Sequence, residues 1–425
     1  MTHPDGPGSP RGPLAPLQDR VRAHLPNPGL AAGKSAAPFV AAIMIALLME
    51  HAIGPAVGLT WTKILLDVGI AIVLAGSLNV VNGYAGQFSL GQAGFMLVGG
   101  YAAAWLTFYG QIHFFDICPS GVEIDITDGK MCDPSTIVVT KEAVTCALVD
   151  CFSGKGATGG FLGSGQLLFL AGCILGGIVA SLFGLLVGLP SLRLRGDYLA
   201  IVTLGFGEIV RVIGQISAIQ PKDPTEIKAR SMTELLNNLG ASEGFSQIPD
   251  YTSQGTPGAM FWVFFFAFLV LIFIYRLKYS SKGRALLAIR ENEIAAEAMG
   301  VDTTRQKVVA FVFSAFFAGI GGALYAHQIQ ALDPKELGFQ KSIDLVIIVV
   351  IGGMGSITGI VLGAAILVIL PELFREFSEY RMVVYALALV VVMILRPQGI
   401  MGIQELWELS PWRKLVQRIK RRGNK

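Results

Sequence analysis

Five neutral hydrogen-bonding side chains, Asn79, Asn82, Gln87, Ser89 and Gln92, lie close together in an otherwise apolar stretch. None is a nucleophile beside a base. Such groups can hydrate a polar solute's passage without holding it tightly. They can equally tie helices together, at about 0.6 kcal/mol per interhelical bond, and the residues alone leave both readings open. Glu208 and Arg211 stand at i, i+3 on one helix face. A lone charge at a bilayer centre costs roughly 2.5–3.5 kcal/mol. The pair therefore reads as the lining or gate of a polar path, or as an internal ion pair that fixes helix packing near an interface.

A third group is Ser281 to Asp302, where charges of both signs alternate. Residues 284–299 are good helix formers, and Leu286, Leu287, Ile289, Ile294 and Met299 make a partial apolar stripe. Gly300 suits a helix C-terminal cap. A membrane-surface helix would carry a face dominated by Lys and Arg. The mixed charge instead suggests a docking helix for another protein, although a short amphipathic linker has the same pattern.

Much chemistry is excluded. The five histidines, at 3, 24, 51, 113 and 327, are dispersed, so neither a metal cluster nor a catalytic triad is predicted. His327, at a span end, reads as packing. Gly33-Lys34-Ser35 ends like a phosphate loop, but Pro28 stands where the motif needs glycine. Gly154 to Gly159 matches a dinucleotide fingerprint without a flanking strand. No basic run is interleaved with aromatics, which argues against nucleic acid as a partner. Cys173 lies in an apolar run and reads as packing.

These groups are set in a chain of 425 residues, 53% hydrophobic and only 15% charged, with mean hydropathy +0.59. Soluble domains carry roughly 25% charged residues. Apolar runs occur at 88–110, 165–189, 259–275, 308–326, 345–370 and 382–395, with further candidates at 36–58 and 64–82. The last two carry Glu50 and Asp67 near their ends, where an interface can hydrate a charge. A spanning helix needs about 20 such residues. An all-α polytopic membrane protein of about eight to ten transmembrane elements follows. Residues 1–35, rich in Pro, Gly and Ala, read as a disordered cytoplasmic tail. Residues 36–402 form the membrane domain, and 403–425 a basic cytoplasmic tail.

Lys and Arg in short loops set the orientation. With the N-terminus inside, loops 111–164 and 220–256 fall outside and the basic segment 276–306 falls inside. The first loop holds Cys118, Cys132, Cys146 and Cys151. Outside, one or two disulfides are expected among them. Their spacing lacks the close pairs of common zinc sites.

A tail on the inside requires an odd number of crossings after residue 328. Only two apolar runs remain. Four glycines in 352–359 argue for a break there, since each costs about 1 kcal/mol in a helix interior. Two half-helices that dip in and return, then one full span, restore the parity. A similar Gly-rich stretch runs from Gly83 to Gly94. Two such interruptions in corresponding halves point to a transport path built from an internal repeat. The proposed path then includes Gly353 and Ser356 as well as the amides above.

Several stretches together resemble the LivM-type permease of branched-chain amino acid ABC importers. They are Asn82 to Gly91, Leu192 to Ile209, the docking segment with Glu297-Ala298 and Gly300, Gly352 to Ser356, and Arg396-Pro397-Gln398-Gly399. The similarity covers most of 64–110 and 165–402. Residues 1–35, about 111–164 and about 220–256 depart from it. The resemblance implies a non-enzymatic subunit of a bacterial inner membrane that binds no cofactor and uses ATP hydrolysed by partners. It implies a homologous LivH-type permease, two cytoplasmic ATPases, an external periplasmic amino-acid-binding protein and the surrounding lipid bilayer. It also implies ATPase contacts at Arg290, Glu291, Glu293, Glu297 and Gly300. The neutral amides would then hydrate a zwitterion. A permease for urea or short amides, or an ion-coupled secondary transporter working alone, are the alternatives.

Overall fold

The computed structural model describes residues 28–54, 58–115, 164–191, 198–221, 224–252, 258–374 and a few positions between 386 and 405. The cysteine loop, with Cys118, Cys132, Cys146 and Cys151, and the basic tail apart from Glu405 lie outside the described residues. Within them the protein is helical, and its one β-type contact is an isolated bridge between Phe245 and Leu332.

Among the described residues twelve α-helices follow in order. They are α1 (Pro28–Leu48, continued by a π turn, Met49–Ile53), α2 (Leu59–Asn79, continued by a π turn, Val80–Tyr84) and α3 (Gln92–Phe115). Then come α4 (Ser164–Ser191), α5 (Tyr198–Ile216), the short α6 (Pro224–Ala229) and α7 (Ala259–Lys278). The chain continues through α8 (Ser281–Glu291), α9 (Glu293–Ala298), α10 (Thr303–Ile329), α11 (Phe339–Gly352) and α12 (Ile357–Leu373). The helix α1 starts at Pro28, earlier than the predicted 36, and corrects the reading of 1–35 as wholly disordered. Pro suits a helix's first turn, where its missing N–H has no partner to lose.

Among the described residues five helices, α2, α4, α5, α7 and α10, are long and apolar enough to cross a membrane. The helix α3 is long enough too, at 24 residues. In its most apolar window 89% of α2 is buried, against 22% of α5. The first is therefore a central helix and the second a peripheral one, whose Ile201, Ile209 and Ile213 are exposed.

The centre is a three-helix contact of α3, α4 and α10. It is made of glycines. A Cβ on Gly176 would lie 2.5 Å from the Gly99 carbonyl, and one on Gly319 would lie 2.5 Å from the Gly176 carbonyl. Lipid tails supply no hydrophobic drive between helices, so close backbone approach must supply the packing. Buried Cys173 packs in this region without a partner thiol.

Two faces result. Helices α8 and α9 lie on the near face, and the 220–252 insert lies on the far face. The insert is not a bare loop. It contains α6 and two 3₁₀ turns, and buries Ile227, Leu235, Phe245 and Tyr251. Tyr109 of α3 donates to the Asn238 carbonyl at 2.9 Å, which ties the insert to the bundle. Glu50 is not simply hydrated at an interface. It accepts from the Gly258 and Phe261 amides at 2.7 and 3.2 Å and caps the first turn of α7. His327 is a packing residue, held by Thr107 Oγ1 at 2.9 Å and stacked edge-on to Phe169.

The predicted break is present, but shorter than 352–359. It occupies 353–356, between the 14 residues of α11 and the 17 of α12. At about 1.5 Å per residue each is shorter than a roughly 30 Å hydrocarbon core. The chain dips from the far face, turns and returns. By Gly399 it is again at the turn, where the Ile400 amide donates to the Ile351 carbonyl at 2.8 Å.

Candidate functional site

The two glycine-rich turns meet on the near face. In the first, non-helical chain runs only from Ala85 to Gly91, and Gly94 already belongs to α3. Asn79 Oδ1 accepts from the Gly355 amide at 2.8 Å. A Cβ on Gly83 would lie 2.6 Å from that same amide nitrogen. Gly355 has φ +89°, a conformation that side chains rarely adopt. Gly353 (φ 111°) ends α11, and the Ser356 hydroxyl caps α12 by accepting from the Gly359 amide at 3.0 Å.

The neutral amides are mostly engaged. Asn82 Oδ1 accepts from the Ser89 amide at 3.2 Å, and Gln92 Nε2 donates to Ser77 Oγ at 2.5 Å. The Ala93 amide reaches Ser342 Oγ on α11 at 3.1 Å. Gln87 is half-buried beside them. Three buried polar atoms here, Asn79 Nδ2, Tyr84 OH and Ser89 Oγ, have no protein partner. The cluster therefore both packs the turns together and keeps unused hydrogen-bonding capacity at their junction.

Glu208 and Arg211 are elsewhere. They form the expected i, i+3 pair at 2.6 Å. Glu208 also accepts from the Phe339 amide at 3.1 Å, which ties α5 to the start of α11. Among the described residues this is a joint between helices and is not joined to the glycine junction.

The docking segment is not one helix. Asn292 divides it: its side chain accepts from the Ala295 amide at 3.0 Å and starts α9. Ser280 and Asp302 cap α8 and α10 in the same manner. The division corrects the apolar stripe. Leu286 and Ile289 are buried, whereas Ile294 and Met299 are 68% and 84% exposed. Three of the proposed contacts are occupied within the chain. Glu293 pairs with Lys307 at 2.6 Å, and Glu297 accepts from Thr303 Oγ1 at 2.7 Å. Arg290 turns inward: its Nη1 donates to the Gly83 carbonyl at 2.7 Å and lies beside Gly355. Glu291 and Gly300 stay exposed, Gly300 with φ +84°.

A family model described as branched-chain amino acid transport system / permease component matches residues 60–394. The chain belongs to this permease family. It is 33% identical over 363 residues to the high-affinity branched-chain amino acid transport system permease protein LivM of Salmonella typhimurium. The match covers 78% of this chain and 68% of that protein. The LivM of Escherichia coli K12 has the same identity and coverage. The high-affinity branched-chain amino acid transport system permease protein LivH of Escherichia coli K12 is 32% identical over 170 residues, covering 40% of this chain and 53% of its own. No solved structure matches.

The permease's junction has a further component that sequence reasoning missed. Glu405 has no exposed side-chain surface, and Lys278 at the end of α7 pairs with it. Its carboxylate accepts from the Ile357 and Thr358 amides, each at 3.0 Å, and from the Thr358 hydroxyl at 2.8 Å. It therefore neutralises the positive N-terminal end of α12. Burial by itself would raise its pKa. The Ile357 amide, Lys278 and Thr358 outweigh that and hold it below the usual carboxylate value.

A group with a depressed folded pKa contributes stability above its unfolded value, about 4.3 for Glu, and that stability is lost as pH falls through the folded value. Removing one member of a buried pair costs about 3 kcal/mol or more. In detergent melts at pH 7, Glu405→Gln is expected to unfold well below wild type. Below about pH 4 the gap should narrow, and an unchanged gap contradicts the assignment.

A second correction concerns Asp67. It is not simply hydrated at a span end, but accepts from Gln328 Nε2 at 2.7 Å inside a far-face cavity.

Proposed function

We propose that this chain is the membrane-spanning permease subunit of an ABC importer, which moves branched-chain or other hydrophobic, neutral amino acids using ATP hydrolysed by partner subunits. The proposed membrane is a bacterial inner membrane, with the near face and both termini cytoplasmic. The proposed partners are a LivH-type permease, two cytoplasmic ATPases and an external amino-acid-binding protein.

One observation carries the reading. A single segment has an exposed apolar outer face, Ile294 and Met299, and an inward arm, Arg290, that grips the junction of the two glycine turns. Force applied to the outer face on α9 reaches Arg290 on α8 through the Asn292 cap that joins the two helices. A lone ion-coupled transporter gives the exposed Met299 no role. Charges of both signs lining the far-face cavity favour a zwitterion over neutral urea.

Met299→Asp tests it, because so exposed a side chain contributes little to the fold. Truncating an interface anchor typically costs 1 kcal/mol or more, and a buried charge costs further. The variant is expected to insert normally, lose ATPases on co-purification and lose most leucine uptake. Normal ATPase retention and uptake would overturn the docking assignment.

A further inference from the structure

The far face holds a cavity of about 1240 Å³ between α2, the end of α10, α11 and α12. Its lining is sorted by depth. On α2, Lys63 and Asp67 stand at the mouth and Leu74 below them. On α11, Lys341 and Asp344 stand at the mouth and Ile348 below. From Asp67 to Leu74, and from Lys341 to Ile348, is seven residues, roughly 10 Å along each helix. Both helices therefore present a charged rim over an apolar floor, and Leu367 of α12 completes the floor.

The rim is organised for a ligand. Gln328 is only 8% exposed and donates to Asp67 through Nε2, yet its Oε1 has no protein partner. Lys341 lies 5.2 Å from the Tyr325 ring centroid, which orients its ammonium at the rim. Asp67 with Gln328 Oε1 offers two acceptors to an ammonium group. Lys341 and Lys63 offer donors to a carboxylate. The floor suits an aliphatic side chain. Below the floor, α2 and α11 run on to Asn79 and to the turn at Gly355.

We infer that this cavity is a substrate site for an α-amino acid zwitterion with a branched aliphatic side chain, seated with its charges at the rim and its side chain against Leu74 and Ile348. The inference rests on the proposed function and adds to it a site in the permease itself. Ligand cavities span roughly 300–1,000 Å³, so this one admits the solute together with water. Binding is accordingly weak and suited to onward release.

The test uses saturation-transfer NMR of L-leucine on the complex that co-purifies with the tagged full-length chain in nanodiscs, without external binding protein. The leucine methyl groups should receive more saturation than the α-proton. Asp67→Asn and Lys341→Gln should each weaken binding about tenfold or more. Isopentylamine, without the carboxylate, and 4-methyl-2-oxopentanoate, without the ammonium, should compete poorly. Ile348→Phe, which fills the floor, should shift preference from leucine toward alanine. Should all three variants bind leucine as wild type does, or should either analogue compete as well as leucine, the site is overturned even if the complex transports leucine. Wild-type complex that binds leucine with this pattern but does not transport it when ATP and the external binding protein are supplied overturns the parent reading and leaves the site standing.

Discussion

Replacing Arg290 with Ala is expected to lower leucine uptake by roughly 10- to 100-fold while the protein still folds and inserts. Its Nη1 bond to the Gly83 carbonyl is charge-assisted and half-buried. Such bonds contribute about 1.5–3 kcal/mol, and each 1.4 kcal/mol is a factor of about ten. The loss should fall on coupling, because Arg290 touches both glycine turns and no helix core. Its Cβ and Cγ pack over Gly86, and its guanidinium faces Gly355. In the proposed importer the variant should retain bound ATPases and hydrolyse ATP without matching uptake. Arg290→Lys keeps the charge but not the planar fork, and should recover only part of the activity. Uptake per ATP hydrolysed in proteoliposomes is the measurement. A wild-type ratio for Arg290→Ala would remove Arg290 from the coupling route.

Gly319→Leu is expected to abolish the fold. The Cβ alone would meet the Gly176 carbonyl of α4 at 2.5 Å and Ala180 beside it. Backbone cannot yield as a side-chain tip does. Overpacking a core costs about 1–3 kcal/mol even where side chains can adjust. Here α3, α4 and α10 would have to separate, and their contacts are the largest in the bundle. Size-exclusion profiles of detergent-extracted protein should show aggregate with no monodisperse peak. Gly319→Ala should give a folded protein of reduced melting temperature, or none. The control is Gly205→Ala on α5, where a Cβ meets nothing within 4 Å and helix propensity favours Ala by about 1 kcal/mol. That variant should be as stable as wild type or more so. Equal stability of Gly319→Leu and Gly205→Ala would discount the glycine contact as the centre of the bundle.

The spans were legible in the sequence because lipid imposes one rule on every residue of a crossing helix. Uncharged runs at 165–189, 259–275 and 308–326 correspond to α4, α7 and α10. Four glycines in 352–359 marked the turn near Gly355. The docking segment was legible as a helix former, but its division was not. Asn292 could be read either as a mid-helix polar residue or as a cap, and only the cap geometry chose. That choice moved Ile294 and Met299 outward and Arg290 inward. The amides around Asn79 were balanced between lining and packing. The structure gives most of them packing bonds and leaves Asn79 Nδ2 and Ser89 Oγ unpartnered.

The sequence by itself determined the long apolar helices, the break and the family pattern, because these depend on local composition and on the near-additive cost of charge in lipid. Only the tertiary structure decided which distant groups meet. Glu405 on the start of α12, Asn79 on Gly355, and Asp67 with Gln328 under Lys341 are pairings across tens to hundreds of residues. Nothing in local spacing encodes them. They follow from how glycine-lined helices close against one another, and the two glycine turns that first suggested a path are joined only by that closure.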